Sequence, residues 1–193
     1  RAGLAYLGGA GKVELIPTDV NNRTQVPPGY VSSLLEDRQG RLWLSTFSSG
    51  LLRLDKTDAA GRRWFNRLGV AEGLPDNGVN IVLQDARGTL WVSTDSGLAT
   101  IDPATLAVRR LSEADGVHIS TYWTGAGAVT GQGEVLFGGL TGVTVARAGQ
   151  HVKERDQAPV AVTQVVLGGR EVPAAPFNAA SGARPPLTLT PAD

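Results

Sequence analysis

Short runs of apolar residues alternate along the chain with turn-forming residues. The clearest runs are VSSLLED at 31–37, RLWLST at 41–46 and GLLRLD at 50–55. Asp-x-x-Gly and Ser-Gly sequences separate them, and both are common in tight turns between strands. No stretch keeps the 3.6-residue apolar period of an amphipathic helix. The pattern therefore predicts an all-β fold built from short antiparallel strands.

The pattern repeats after 48 residues, the interval between Trp43 and Trp91. Residues 31–55 read VSSLLEDRQGRLWLSTFSSGLLRLD, and residues 79–102 read VNIVLQDARGTLWVSTDSGLATID. A period in the forties is typical of β-propeller blades or of helical HEAT-type units, and the strand pattern favours four-stranded antiparallel blades. The recurring signature residues are Asp37, Gly40, Trp43, Thr46, Asp85, Gly88, Trp91 and Thr94.

We expect these signature residues to be structural, because repetition itself indicates architecture. The aspartates can accept hydrogen bonds from the backbone of the following turn, and the glycines can supply a positive φ. The tryptophans are suited to filling the space between neighbouring blades. The threonines can bond the backbone at the next turn.

Weaker copies extend the repeat in both directions. Residues 3–7 match 50–54, and GEVLFGGLTG at 133–142 carries Leu136 in the tryptophan position. Repeats are expected near residues 1–28, 29–68, 78–112 and 120–155, so that a partial propeller of about three blades occupies residues 1–157. An arc of this size leaves sheet edges open, which predicts either self-association or further blades.

The repeats resemble the two-component-regulator propeller repeat, approximately V-x-x-I-x-x-D-x-x-G-x-L-W-(I/V)-(G/S)-T-x-x-G-L-x-x-(L/Y)-D. Residues 69–80 (GVAEGLPDNGVN) resemble the connection between blades in that family, and residues 114–148 resemble its last blade. Residues 158–172 resemble the opening of the Ig-like β-sandwich, called the Y_Y_Y domain, that follows; the segment 158–193 would be an incomplete copy.

The resemblance implies a C-terminal fragment of an extracytoplasmic sensor, and the missing initiator Met fits a piece of a longer protein. In that family the propeller and Ig-like domain lie in the periplasm. A membrane span and a cytoplasmic output follow them, commonly a histidine kinase and sometimes a diguanylate cyclase (GGDEF) domain. The chain itself is then expected to sense and transmit a signal, to contact the membrane only through missing parent segments, and to be no enzyme.

Composition narrows the chemistry that the chain can perform. The 18 Lys and Arg residues balance 18 Asp and Glu residues, which argues against nucleic acid as a partner. With no cysteine there is no disulfide, thiolate nucleophile or Cys-bound zinc. The two histidines, His118 and His151, lack metal-ligand spacing, so no metal or cofactor is expected.

Three places could contact a ligand, which is taken to be an unknown small molecule or oligosaccharide. They are the entry to the third copy (residues 118–123), the basic and aromatic edge at residues 62–64, and residues 77–80 beside the second copy. Together they offer aromatic rings and amide, imidazole or guanidinium groups, which suit a sugar or peptide. Alternatively, Tyr122 and Trp123 simply replace the core tryptophan missing from the third copy. The candidate ligand-binding residues are His118, Tyr122, Trp123, Arg63, Asn77 and Asn80.

Two other functions remain open at this point. A propeller enzyme such as a lyase or glycosidase would need titratable side chains converging from successive blades, whereas the repeated positions offer apolar and turn residues. A protein-interaction scaffold would share the blades but lack a membrane span and an output domain in the neighbouring sequence.

Overall fold

In the computed structural model the chain is almost entirely β-structure. The structure describes residues 4–7, 13–19, 22, 24–147, 164–167 and 169–172. The chain divides into two compact units, residues 1–151 and 152–193. In the described residues no helix is long and apolar enough to cross a bilayer; the helical segments are single 3₁₀ turns at Val70–Glu72 and Glu113–Asp115.

Two four-stranded antiparallel sheets form the centre of the first unit. Blade A consists of β3 (Val31–Glu36), β4 (Leu42–Thr46), β5 (Leu51–Thr57) and β6 (Arg63–Leu68), paired in sequence order. Blade B consists of β7 (Val79–Gln84), β8 (Leu90–Thr94), β9 (Gly97–Ile101) and β10 (Val108–Arg110), again in sequence order. The predicted all-β fold of four-stranded antiparallel blades is confirmed.

Smaller sheets flank these two blades. The hairpin of β1 (Leu4–Leu7) and β2 (Val13–Ile16) precedes blade A. Blade C consists of β11 (Tyr122–Val129), β12 (Glu134–Gly139) and β13 (Gly142–Arg147).

In the second unit, the described part is the hairpin of β14 (Val165–Leu167) and β15 (Arg170–Val172). Most of the segment 158–193 lies outside the described residues, so its Ig-like character and the boundary at 157 stay predictions.

The core lies between successive sheets rather than within any one of them. Between the first hairpin and blade A, Ile16 and Val26 pack with Leu44, Leu52 and Phe65. Between blades A and B, a larger cluster joins apolar residues of both sheets around the fully buried Trp43. Between blades B and C, a third cluster contains Ile81, Leu98, Tyr122, Val135 and Phe137, with Trp91 packed against it. Each sheet therefore depends on its neighbour for burial.

The Asp-x-x-Gly turn of each blade is tied to that blade's tryptophan through one carboxylate. In blade A, Asp37 Oδ1 accepts hydrogen bonds from the backbone N–H groups of Gln39 and Arg41, both at 3.0 Å. Its Oδ2 accepts the indole N–H of Trp43 at 2.9 Å. Gly40 has φ +74°, in the left-handed region that the turn requires. One carboxylate thus fixes both the turn and the indole.

In blade B, Asp85 makes the same set of hydrogen bonds with the equivalent residues of that blade. Asp85 Oδ1 accepts the backbone N–H groups of Arg87 and Thr89 at 2.9 and 3.0 Å. Its Oδ2 accepts the Trp91 indole N–H at 2.9 Å, and Gly88 has φ +92°. The recurring Asp-x-x-Gly-x-x-Trp spacing is therefore that of a single hydrogen-bonded unit.

The signature threonines close the turns at the opposite end of each sheet. Thr46 Oγ1 donates to the Gly50 carbonyl at 2.8 Å and accepts the Ser49 N–H at 2.9 Å. The Thr94 hydroxyl makes the same pair of bonds with Gly97 and Ser96. Both threonines are buried, so these bonds satisfy hydroxyls that water does not reach.

Serines connect the first strands of blades A and B, β3 and β7, which lie side by side and are called inner strands below. Ser32 Oγ donates to the Val79 carbonyl, and Ser33 Oγ accepts the Val82 N–H at 3.2 Å. Ser33 Oγ also donates to the buried Ser45 Oγ at 2.9 Å. In blade B, Ile81 takes the position equivalent to Ser33, and the buried Ser93 hydroxyl has no hydrogen-bond partner in the described structure.

Replacing Ser93 by alanine is expected to raise the free energy of unfolding by about 1 kcal/mol, because it removes a buried hydroxyl that no group satisfies. The matched variant is Ser45→Ala in blade A, where the hydroxyl has a partner. That change is expected to lower the free energy of unfolding by about 1 kcal/mol. Urea denaturation followed by circular dichroism measures both. The same sign for the two variants would contradict the hydrogen-bond assignment.

Candidate functional site

The antiparallel strand order divides the loops of the arc between two faces. The turn face carries the first and third turns of each blade, which follow Glu36, Thr57, Gln84 and Ile101. The connector face carries the middle turns, 47–50 and 95–96, together with the connections between blades, 69–78 and 111–121. The sequence-predicted candidates are distributed unequally between these two faces.

The connections on the connector face are internally braced. In the first, Glu72 Oε2 accepts the Gly69 N–H at 2.7 Å, and Asn77 Oδ1 accepts the Val70 N–H at 3.0 Å. In the second, Asp115 Oδ2 accepts the Ser112 N–H at 2.9 Å. Each connection therefore contains a capped 3₁₀ turn rather than a free loop, and it presents its side chains from a fixed backbone.

Five of the six predicted ligand-binding residues lie on or next to the connector face. The inner strands β7 and β11 start there, and the connections end there. The sixth residue, Arg63, starts β6 and therefore lies at the turn face. The residues gathered at the connector face are Asn77, Asn80, His118, Tyr122 and Trp123.

Asn80 and Tyr122 link blades B and C. The buried Asn80 donates through Nδ2 to Asp95 Oδ1 at 3.0 Å and to the Tyr122 carbonyl at 2.9 Å, and its Oδ1 accepts the Thr124 hydroxyl at 2.9 Å. The Tyr122 ring is buried, its hydroxyl lies 2.8 Å from Thr144 Oγ1, and burial raises the pKa of this phenol. Their polar groups are thus already bonded within the protein.

The other three residues present exposed groups to solvent. Trp123 is 57% exposed, and His118 and Asn77 are exposed as well. Among these three side chains, the exposed indole of Trp123 is the one most suited to stacking on the ring of a ligand. His118 and Asn77 add hydrogen-bonding groups on the two neighbouring connections.

Sequence reasoning missed an aromatic pair on the same face. Tyr30, which is 70% exposed, and Phe47, which is 45% exposed, have ring centroids 6.1 Å apart with nearly perpendicular planes. The Phe47 N–H donates to the Tyr30 carbonyl at 3.2 Å. The one available signal is the turn after β4, where Phe47-Ser-Ser-Gly50 is one residue longer than its counterpart in blade B.

Two carboxylates on the connector face, Asp76 before β7 and Asp95 after β8, lie next to Gly78. Asp76 accepts the Gly78 N–H at 2.7 Å and the Ser96 hydroxyl at 3.0 Å, while Asp95 accepts from Asn80. Across the described ranges no group of three or more His, Cys, Asp or Glu residues could hold a metal ion. The two carboxylates instead stabilise the turns through these hydrogen bonds. The second histidine of the sequence, His151, lies outside the described residues.

Two segments match the family model described as Two component regulator propeller. They are residues 25–48 and 73–96. Each match begins six residues before the first strand of a blade and ends just after the strand that contains the tryptophan. Each therefore includes one complete Asp-x-x-Gly-x-x-Trp unit. No curated protein matches the chain in sequence.

Solved structures with the same fold include extracellular domains of bacterial regulatory systems. One is described as the extracellular domain of the hybrid two component system BT3049 from B. thetaiotaomicron. It has a TM-score of 0.68 at 16% identity over 89% of this chain. Another is that of the one component system BT4673 from the same organism, with a TM-score of 0.56 at 20% identity over 76% of this chain.

The chain spans only 23% and 19% of the lengths of these two structures. At such identities the likeness concerns the fold alone. It agrees with the blade arrangement of β3–β6 and β7–β10, while the particular side chains exposed on the connector face belong to this sequence.

Proposed function

We propose that this chain is part of the extracytoplasmic sensor propeller of a transmembrane signalling protein and that it lies in the periplasm. The observation that carries the proposal is the match of residues 25–48 and 73–96, which contain the first two strands of blades A and B, to the two component regulator propeller model. The similar extracellular domains of regulatory systems support it. The output of the parent protein would be a histidine kinase or a diguanylate cyclase.

In this proposal a small molecule or oligosaccharide binds at the connector face. Trp123, Tyr30 and Phe47 would stack on apolar ring faces, and His118 and Asn77 would bond hydroxyls. Because Asn80 ties blade B to the residues on either side of Trp123 in β11, a ligand that shifts β11 would disturb the packing between blades B and C. That coupling is how binding would be transmitted through the arc.

The open ends of the arc support a larger assembly. The hairpin β1–β2 exposes Leu7 and Leu15, and blade C exposes Val143 and Val145. Exposed apolar residues in adjacent paired strands are typical of interaction surfaces. Under this proposal either the remaining blades of a ring or a second copy of the chain covers them.

The parent gene provides the test of the proposed function. Reading it on both sides of this chain should reveal further Asp-x-x-Gly-x-x-Trp repeats, a membrane span and a kinase or cyclase domain. A secreted product with neither span nor output domain would contradict the proposal and leave a binding protein or an enzyme.

A further inference from the structure

We propose that a groove on the turn face of blades A and B binds a small organic acid with more than one carboxylate. The groove has a volume of about 530 Å³, within the range of small-molecule sites. Three turns far apart in sequence form it: 37–41, 85–89 and 102–107. The lining residues used below are Gln39, Arg41, Arg87, Thr89, Thr100 and Arg109.

Cations dominate the ionisable side chains that line this groove. The groove is lined by three arginines, Arg41, Arg87 and Arg109, and by one acidic residue, Asp102. Asp102 Oδ1 accepts the Thr105 and Ala104 N–H groups at 3.0 and 2.8 Å. These bonds lower the pKa of the carboxyl and keep it charged. The lining therefore carries three positive charges against one negative charge.

The acids that pair with two of these arginines are less exposed than the arginines themselves. The Arg41 side chain is 26% exposed, whereas that of its partner Asp37 is fully buried. The Arg109 side chain is 59% exposed and that of its partner Asp115 is 18% exposed. A ligand approaching from solvent consequently meets guanidinium N–H groups before it meets either carboxylate.

Arg87 is the cation most available to a ligand. It is exposed in the turn between β7 and β8, and within the described residues its guanidinium makes no hydrogen bond or ion pair. A guanidinium presents several donors in a plane that match the two oxygens of a carboxylate. Arg87 can therefore bind a carboxylate without breaking a contact inside the protein.

The walls of the groove are held together across the two blades. Arg41 Nη1 donates to the Pro103 carbonyl at 2.9 Å, and Arg38 Nη1 donates to the Ala86 carbonyl at 2.6 Å. Both bonds run from the first turn of blade A to turns of blade B. A groove fixed in this way loses little conformational entropy when a ligand binds.

The placement of the polar groups selects the class of ligand. Arg87 lies in the turn between β7 and β8, and Arg109 lies in β10 beside Thr100, so the two cations approach the groove from different elements. The hydroxyls of Thr89 and Thr100 and the amide of Gln39 line the space with them. A hydroxylated di- or tricarboxylate can use these groups together, whereas a single oxyanion cannot.

Isothermal titration of the purified protein with citrate tests this inference. Citrate is expected to bind saturably, and Arg87→Gln is expected to weaken binding about tenfold. The matched control is Arg62→Gln, which removes an exposed arginine from the third turn of blade A on the same face. The control should bind citrate as the unaltered protein does, and binding should weaken as NaCl is added.

Three outcomes would overturn the inference: no saturable binding of citrate, equal binding by the Arg87→Gln protein, or equally tight binding of inorganic phosphate. Thermal unfolding of both variants establishes that they fold before the titrations are compared. The measurement does not depend on a membrane span or an output domain, so its failure is separate from failure of the proposed function.

Discussion

Replacing Trp43 by alanine is expected to lower the free energy of unfolding by about 3–5 kcal/mol, the usual range for deleting a large buried aromatic side chain. Trp43 is fully buried at the junction of blades A and B, among Leu51, Val82 and Leu90. The Arg53 guanidinium lies 5.9 Å from the ring centroid. Urea denaturation followed by far-ultraviolet circular dichroism measures the change without relying on tryptophan fluorescence.

The matched control is Trp123→Ala on the connector face. Because that indole is more than half exposed, its removal should change the free energy of unfolding by less than about 1 kcal/mol. Similar losses for the two variants would contradict the placement of Trp43 in the core between blades. If Trp123→Ala abolished sensing while leaving stability intact, it would support the proposed ligand face.

Replacing Asp37 by alanine is expected to cost about 2–4 kcal/mol of unfolding free energy. The change leaves the N–H groups of Gln39, Arg41 and Trp43 without their acceptor. Each buried donor that loses its partner costs about 1–3 kcal/mol, and water offsets part of this near the turn. The same denaturation measurement applies.

Blade A supplies a matched control for Asp37 in its own third turn. Asp58 accepts the backbone N–H groups of Ala60 and Arg62 and pairs with the Arg62 side chain. It is more exposed than Asp37, and it holds no indole. Asp58→Ala is therefore expected to cost clearly less unfolding free energy than Asp37→Ala. An equal cost at the two positions would show that the bond to Trp43 adds nothing.

The Asp37 contribution should also depend on pH. Burial raises the pKa of this carboxyl, but hydrogen bonds from Trp43, Arg41 and Gln39 outweigh burial and lower it below the ordinary value of 3.8. Because the folded-state pKa is depressed, the contribution is present above 3.8 and is lost as pH falls through the folded-state pKa. The stability difference between the unaltered protein and Asp37→Asn should therefore be constant at neutral pH and shrink in acid.

The repeat carries most of what sequence reasoning can establish about this fold. The two copies of Asp-x-x-Gly-x-x-Trp lie in equivalent turns because each set of bonds is local, between residues at most six positions apart. The strands around them follow from the short apolar runs and from the turn sequences that separate them. The end of the third copy, from residue 148 onward, and most of the Ig-like segment lie outside the described residues.

The candidate site depends on information that residue type does not contain. Asn80 and Trp123 are equally plausible ligand contacts in the sequence, yet one is buried with its amide fully bonded and the other is exposed. The Tyr30–Phe47 pair depends on the register of β3 and β4. The arginine groove depends on the packing of two blades, which brings together turns more than 60 residues apart, as in the bond between Arg41 and Pro103.

The most direct test of the sensor proposal is the compartment in which the propeller lies. The chain contains no cysteine, so a single Ser48→Cys substitution at an exposed position introduces one labelling site into it. In the full parent protein, expressed in a Gram-negative host, a membrane-impermeant maleimide should label this cysteine in spheroplasts with an intact inner membrane, above the level of the unsubstituted parent. Labelling that appears only after the inner membrane is lysed would place the propeller in the cytoplasm and contradict the proposal.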